Sequence, residues 1–221
     1  MTSRKSSYVT ILRRTLLPTW MDVWNGHSSE LSGKDILHIG SGLAPFPGAV
    51  TLDMNAGVCP DHVCNIDEDR LPFADESFDA VLMFNVFEHV DQKIQVLEEI
   101  HRVLRMEGRV YILAPHFSST SQHTDPTHKN GIGTRTLDYV VEKTDIGKNF
   151  GFYSNVRFSY IESMITLSRA WALVPGLTRL VNRYSASWEE YWCYIVRGAG
   201  LFWILRKEPN VLSDMPAKAP Q

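Results

Sequence analysis

The chain reads as an α/β protein built on a mostly parallel sheet. Three observations carry that reading. "ILHIGSG" (36–42) runs from apolar residues into a glycine turn, and a second short apolar run ends at Asp53. "FDAVLMFN" (78–85) is a continuous apolar stretch, as expected of a strand covered on both faces. Strand-like runs then alternate with a helical pattern.

The elements follow in order. Residues 8–25 space Val9, Leu12, Leu16, Leu17, Trp20 and Trp24 as a helix does, with Pro18 expected to break or kink it. Asp35–Ile39 and Val50–Asp53 read as buried strands. Leu43–Ala49 carries Pro45 and Pro47 and is too short for a crossover helix, which needs about a dozen residues or more. Residues 91–106 place Ile94, Leu97, Ile100 and Leu104 on one helical face, with Gly108 as the stop. "RVYILAP" (109–115) is the next strand. "YWCYIV", "RGAG" and "LFWILR" (191–206) read as a β-hairpin closed by a four-residue loop. The tail 209–221 is proline-rich and expected to be flexible.

Composition narrows the function. The 221 residues are 44% hydrophobic and 21% charged, as in a soluble globular chain, and suffice for one domain. A net charge of -3 offers no global basic surface for nucleic acid. Glu162, Arg169, Pro175 and Arg179 interrupt the apolar stretch 160–181, so no membrane span is expected. Cys59, Cys64 and Cys193 have no metal-ligand spacing and suit a reduced, cytoplasmic compartment.

Gly40 and Gly42 sit where the chain leaves a strand, where glycine allows a tight turn and a close ligand. Asp53 ends the neighbouring strand, on the edge where α/β sheets bind ligands, and can accept hydrogen bonds from a ribose diol. There is no G-x-G-x-x-G with an acid about 20 residues on, and no G-K-[ST]. The ligand is expected to be a nucleoside without a bulky phosphate.

"CNIDEDRLPFADESFDAVLMFNVFEHV" (64–90) and "EIHRVLRMEGRVYILAP" (99–115) resemble the class I S-adenosylmethionine-dependent methyltransferases, in the small-molecule, methyltransferase-11-like branch. The resemblance spans about residues 34–116. It implies a Rossmann-like fold: a seven-stranded, mostly parallel sheet with a terminal antiparallel hairpin. It also implies S-adenosylmethionine as cofactor, with S-adenosylhomocysteine as product. On this alignment Gly40, Ser41 and Gly42 would line the methionine part, Asp53 the ribose, and Met54 and Ile66 the adenine. Asn65 or Asp67 would meet the adenine edge, and Asn85 the methionine end. His38 stands where the family carries an acid, and still offers a hydrogen bond.

The organisation implied is a single domain: a helical lid (1–30), a cofactor core (34–116), an acceptor side (117–190), the hairpin and the tail. The acceptor side holds the candidate catalytic groups. His116 at a strand end is the first candidate for the base. Asp125-Pro126-Thr127-His128 resembles a segment of bacterial methyltransferases of surface-polysaccharide pathways; Asp125 could orient His128, either could hold the acceptor, or Asp125 merely caps a turn. His89, after Glu88, is read mainly as positioning its turn. A metal site from His116, His123, Asp125 and His128 lacks diagnostic spacing, so no metal is assigned. Trp171, Tyr184, Trp188, Tyr191 and Trp192 could line an acceptor pocket, with core packing as the default reading.

The expected function is methyl transfer to a small molecule, first an oxygen of a sugar, glycan precursor or secondary metabolite. The alternatives are a non-methylating use of S-adenosylmethionine (cyclisation or aminopropyl-type transfer) and a non-catalytic partner. No nucleic-acid partner is expected, since no N-P-P-[FY] follows the fourth strand. The oligomeric state stays open, a homodimer included.

Overall fold

A computed structural model describes residues 20–210. Seven strands form one sheet: β1 (Ile36–Ile39), β2 (Val50–Asp53), β3 (His62–Val63), β4 (Phe78–Phe84), β5 (Leu104–Pro115), β6 (Arg157–Leu167) and β7 (Gly198–Glu208). Their order is β3-β2-β1-β4-β5-β7-β6. The first five pair in parallel, while β7 runs antiparallel to both β5 and β6.

The apolar run of β4 is continuous because both its faces are covered. Val81 and Met83 join one core with β1, β5 and helix α2 (Lys93–Val103). Ala80 and Leu82 join a second with Ile36, Tyr111, Phe202 and Ile204. Helix α1 (Trp20–Ser28) closes that second face: Trp24 stands edge-on to Phe46, Phe84 and Tyr111, with centroids 5.7, 5.2 and 5.6 Å away. No crossover helix joins β1 to β2, as the prolines of the loop predict. Phe46 and Ala49 cover the sheet in its place.

Three expectations change. Helix α2 ends at Val103, not at Gly108, because Leu104 is already extended and pairs with Phe78 of β4. The terminal hairpin exists, but 191–196 is not one of its strands. Helices α3 (Thr120–Thr124) and α4 (Asp145–Phe150) precede β6; β7 pairs with β6, and helices α5 (Arg169–Ala172), α6 (Leu177–Arg183) and α7 (Ser185–Tyr191) intervene between the two. The chain from Trp192 turns back under α7, where Trp188 Nε1 donates to the Val196 carbonyl (2.9 Å). The lid reading also shifts: residues 1–19 lie outside the described residues, and α1 packs on the sheet. The tail segment 211–221 is likewise outside them. Among the described residues, no helix is long and apolar enough to cross a membrane.

Two buried histidines tie the elements together. Phe46 N–H donates to His38 Nδ1 (3.1 Å), which pins the β1–β2 loop. His101 of α2 donates from Nε2 to the Glu208 carbonyl at the end of β7 (2.9 Å). Burial holds both imidazoles below their ordinary pKa. As pH falls below about 6.5, the unfolded chain takes up protons that the folded chain resists, so stability should fall with it. Thermal unfolding followed from pH 8 to 5.5 should show this decline. His101→Gln, which keeps a donor for the Glu208 carbonyl, should flatten the slope.

Candidate functional site

The carboxyl ends of β1, β2 and β4 open onto a cavity of about 680 Å³. Its floor is the glycine turn. Gly40 adopts φ +65°, and a Cβ there would lie 2.1 Å from Val86 Cγ2. Only glycine meets both conditions. Asp53 braces the turn from the next strand: its carboxylate accepts from Gly42 N–H and Asn55 N–H, both at 2.9 Å. Each such carboxylate–amide bond contributes on the order of 1.5–3 kcal/mol. The carboxylate still faces the cavity, with acceptor capacity left for a diol.

Met54 and Ile66 form apolar wall, with Cys64 beside them; Met54 is 71% exposed. Asn65 and Asp67 part company here. Asp67 accepts from the backbone N–H groups of Asp91 and Gln92 (2.9 and 3.0 Å) and from Lys129 Nζ (3.2 Å). Burial pushes its pKa up, but these bonds outweigh it, and the carboxyl sits below its usual range. Asp67 therefore anchors the turn into α2. Asn65 uses its Oδ1 on the Asp67 N–H (3.2 Å), while its Nδ2 has no such tie. Asn85 leaves β4 at φ +54° and lines the cavity beside Gly40. Of the turn only Gly40 lines the cavity, not Ser41 or Gly42, and His38 packs against Phe84 away from it.

A second groove of about 920 Å³ adjoins the first, and the two share Asn85 and His89. Its wall is the segment 121–128 docked onto the turn 87–89. Lys129 N–H donates to the Glu88 carbonyl (3.1 Å). Asp125 Oδ1 accepts from Thr127 N–H (2.8 Å) and from Thr127 Oγ1 (2.6 Å), so the turn-capping reading of Asp125 holds. Since that hydroxyl proton is spent on Asp125, His89 Nδ1 must be the donor toward Thr127, whose carbonyl and Oγ1 lie at 3.2 and 3.1 Å. His128 Nδ1 likewise donates to the Gln122 carbonyl (3.0 Å). When neutral, both rings therefore carry their lone pair on Nε2. His128 Nε2 lies 3.8 Å from Glu88 Oε1 and 3.9 Å from Asp125 Oδ2. Glu88 is 1% exposed, and burial raises its carboxyl pKa.

His116 is not part of either wall. It is fully buried: Nδ1 meets Ser118 Oγ (2.8 Å), Nε2 meets Glu189 Oε1 (3.0 Å), and Trp188 packs against the ring. Glu189 also takes Thr134 N–H and Oγ1. His116 thus ties the end of β5 to α7, and both nitrogens are spent. The set His116, His123, Asp125 and His128 is not brought together; among the described residues the potential metal-ligating group is Glu88, His89 and His128. Of the five aromatics read as core, only Trp188 is buried, while Tyr184, Tyr191 and Trp192 are exposed. The residues alone give no role to Thr127, inside the quoted D-P-T-H run, or to Lys129, which follows it, although both hold the site together.

Comparison with known proteins agrees with this geometry. Residues 47–112 match the family described as Methyltransferase domain. A structure titled as a SAM-dependent methyltransferase from Archaeoglobus fulgidus superposes with a TM-score of 0.52 at 18% identity, covering 91% of this chain and all of that one (100%). A putative sarcosine dimethylglycine methyltransferase from Galdieria sulphuraria gives 0.50 at 16% identity, covering 85% of each.

Residues 47–112 are thus similar to a methyltransferase domain, set within a fold shared with that S-adenosylmethionine-dependent methyltransferase.

Among curated relatives, a demethylmenaquinone methyltransferase of Alkalihalophilus pseudofirmus is 43% identical over 61 residues, 28% of this chain and 24% of that protein. One from Mycobacterium sp. (strain KMS) is 29% identical over 124 residues, 56% of this chain and 48% of that protein. The chain thus matches between about a quarter and a half of these relatives' length. The family implies S-adenosylmethionine as cofactor, and the cavity fits it: a bare backbone at Gly40, an acid with free acceptor capacity at Asp53, an untied amide at Asn65 and apolar wall at Met54 and Ile66.

The Gly40–Val86 approach makes a direct prediction. Gly40→Ala should weaken S-adenosylhomocysteine binding at least tenfold and destabilise the fold by about 1–3 kcal/mol, since the new methyl meets Val86 at a strained φ. Adding Val86→Ala should recover part of the stability. Calorimetric titration and thermal unfolding check both.

Proposed function

We propose that this chain methylates an oxygen of a small, hydroxylated acceptor, with S-adenosylmethionine as donor. One observation carries the reading: the cofactor cavity and the second groove share a wall at Asn85 and His89, so a molecule in the groove can reach the cofactor's methionine end. Asp53 would hold the ribose, Asn65 the adenine edge, and Gly40 and Asn85 would flank the methionine. The cofactor supplies a methyl group already activated on a sulfonium. What remains for the chain is alignment of the acceptor oxygen and loss of its proton.

The groove offers groups for both tasks. His128 presents a lone pair at Nε2, with Glu88 and Asp125 flanking it. This cluster would hold the acceptor's hydroxyl. The curated relatives are named for demethylmenaquinone, but the groove here also carries Ser121, Thr124, Asp125 and His128. Such a lining favours a polyhydroxylated acceptor, a sugar or glycan precursor, over an apolar ring. Pro115 and Pro126 leave room for one apolar contact.

The test is incubation with S-adenosylmethionine and fractionated host extract, with nucleoside products identified by mass spectrometry. Extract-dependent S-adenosylhomocysteine is expected. His128→Gln should lower its formation at least tenfold, while cofactor binding stays within about twofold of wild type. Methylthioadenosine as product would overturn the reading in favour of aminopropyl-type chemistry.

A further inference from the structure

One cluster in the groove has more structure than a hydroxyl needs. One ligand atom each from Glu88, His89 and His128 lies within 4.8 Å of the others. We propose that Glu88, His89 and His128 form a site for a divalent transition-metal ion, on the wall between the cofactor cavity and the acceptor groove. The inference rests on the methyl-transfer reading for its role, not for its existence.

Three independent features support it. The first is direction. Both imidazoles spend Nδ1–H on the 122–127 segment, His89 on Thr127 and His128 on the Gln122 carbonyl. A second-shell carbonyl that fixes the tautomer and turns Nε2 outward is the usual arrangement of metal-bound histidine. The second is distance. His128 Nε2 stands 3.8 Å from Glu88 Oε1, too far for a hydrogen bond and close enough for the two to share one ion after small side-chain shifts. The third is an unsatisfied acceptor. Glu88 Oε2 is buried without a hydrogen-bond partner. A cation satisfies it in one step.

Two imidazoles and one carboxylate suit zinc, cobalt, manganese or iron better than magnesium or calcium, which prefer all-oxygen shells. His89 also lines the cofactor cavity, so an ion here would sit beside the reacting end. Its open positions would hold an acceptor hydroxyl or a vicinal diol. Coordination would lower the hydroxyl's pKa; the O–H proton would pass to water in the groove, the oxygen's electron pair would form the O–CH3 bond, and the CH3–S bond of the sulfonium would break with its pair left on the sulfur of S-adenosylhomocysteine.

Equilibrium dialysis of the chelator-stripped full chain against cobalt(II) tests this, with visible absorption reporting the ligand field. The expected result is one cobalt per chain, weakened at least tenfold in both Glu88→Gln and His128→Gln. Titration with S-adenosylhomocysteine verifies that each variant is folded. Absence of stoichiometric cobalt, or equal cobalt binding by both variants and wild type, would overturn the site. Cobalt bound in the expected pattern with no S-adenosylhomocysteine formed from any extract would support the site and count against methyl transfer. Methyl transfer in full without cobalt binding would count against the site alone.

Discussion

One carboxylate organises the ligand edge of this sheet. Asp53 receives the Gly42 N–H from the turn after β1 and the Asn55 N–H from the turn after its own strand. The two adjacent strand ends are thereby held at one separation. Gly40 keeps its positive φ within that frame, and Val86 can press against a position with no side chain. Asn85, next to Val86, then leaves β4 in its own left-handed conformation and faces the same cavity. Non-glycine residues accept that conformation where surrounding contacts over-determine it, and such positions cluster at binding sites.

The second constraint is long-range. Beyond the short helix Thr120–Thr124, the segment to Lys129 is irregular, yet it is fixed on three sides. Lys129 N–H meets the Glu88 carbonyl, its ammonium meets Asp67 and Asp91, and Thr127 meets His89. Asp67 in turn caps the entry to α2. Cofactor wall, helix start and acceptor groove are one hydrogen-bonded unit. A disturbance in any of them would reach the others through two or three bonds.

Much of this was legible in the residues. β1, β2 and β4 are legible at nearly their observed bounds: β4 as a continuous apolar run covered on both faces, β1 and β2 from the glycine turn and the terminal Asp53 that bound them. The missing crossover helix was legible from Pro45 and Pro47. Gly40 and Asp53 were legible because turn chemistry and strand ends are local. What failed was non-local. "YWCYIV" has the composition of a strand, but the partner of β7 is Arg157–Leu167, some thirty residues of chain away across three short helices. His116 stands at a strand end on the ligand edge, as a base should, but Glu189 of α7 claims its Nε2, and nothing near His116 in sequence announces that. Asn65 and Asp67 could be separated only once Lys129 and the α2 entry were seen to engage Asp67. Fold and cofactor cavity are thus family matters. The groove, by contrast, is assembled from side chains that meet only in three dimensions.

The claim on which the account rests is that Asp53 both builds the turn and holds the nucleoside. Calorimetric titration of S-adenosylhomocysteine into wild type and Asp53→Asn tests it most directly. The substitution keeps the shape, retains one carbonyl acceptor for a backbone N–H and removes the charge. The account expects at least a tenfold loss of affinity, about 1.4 kcal/mol or more, with the unfolding transition still cooperative. Equal affinity in the two proteins would contradict it and would place the ribose, and with it the methyl group, somewhere other than the wall shared with the acceptor groove.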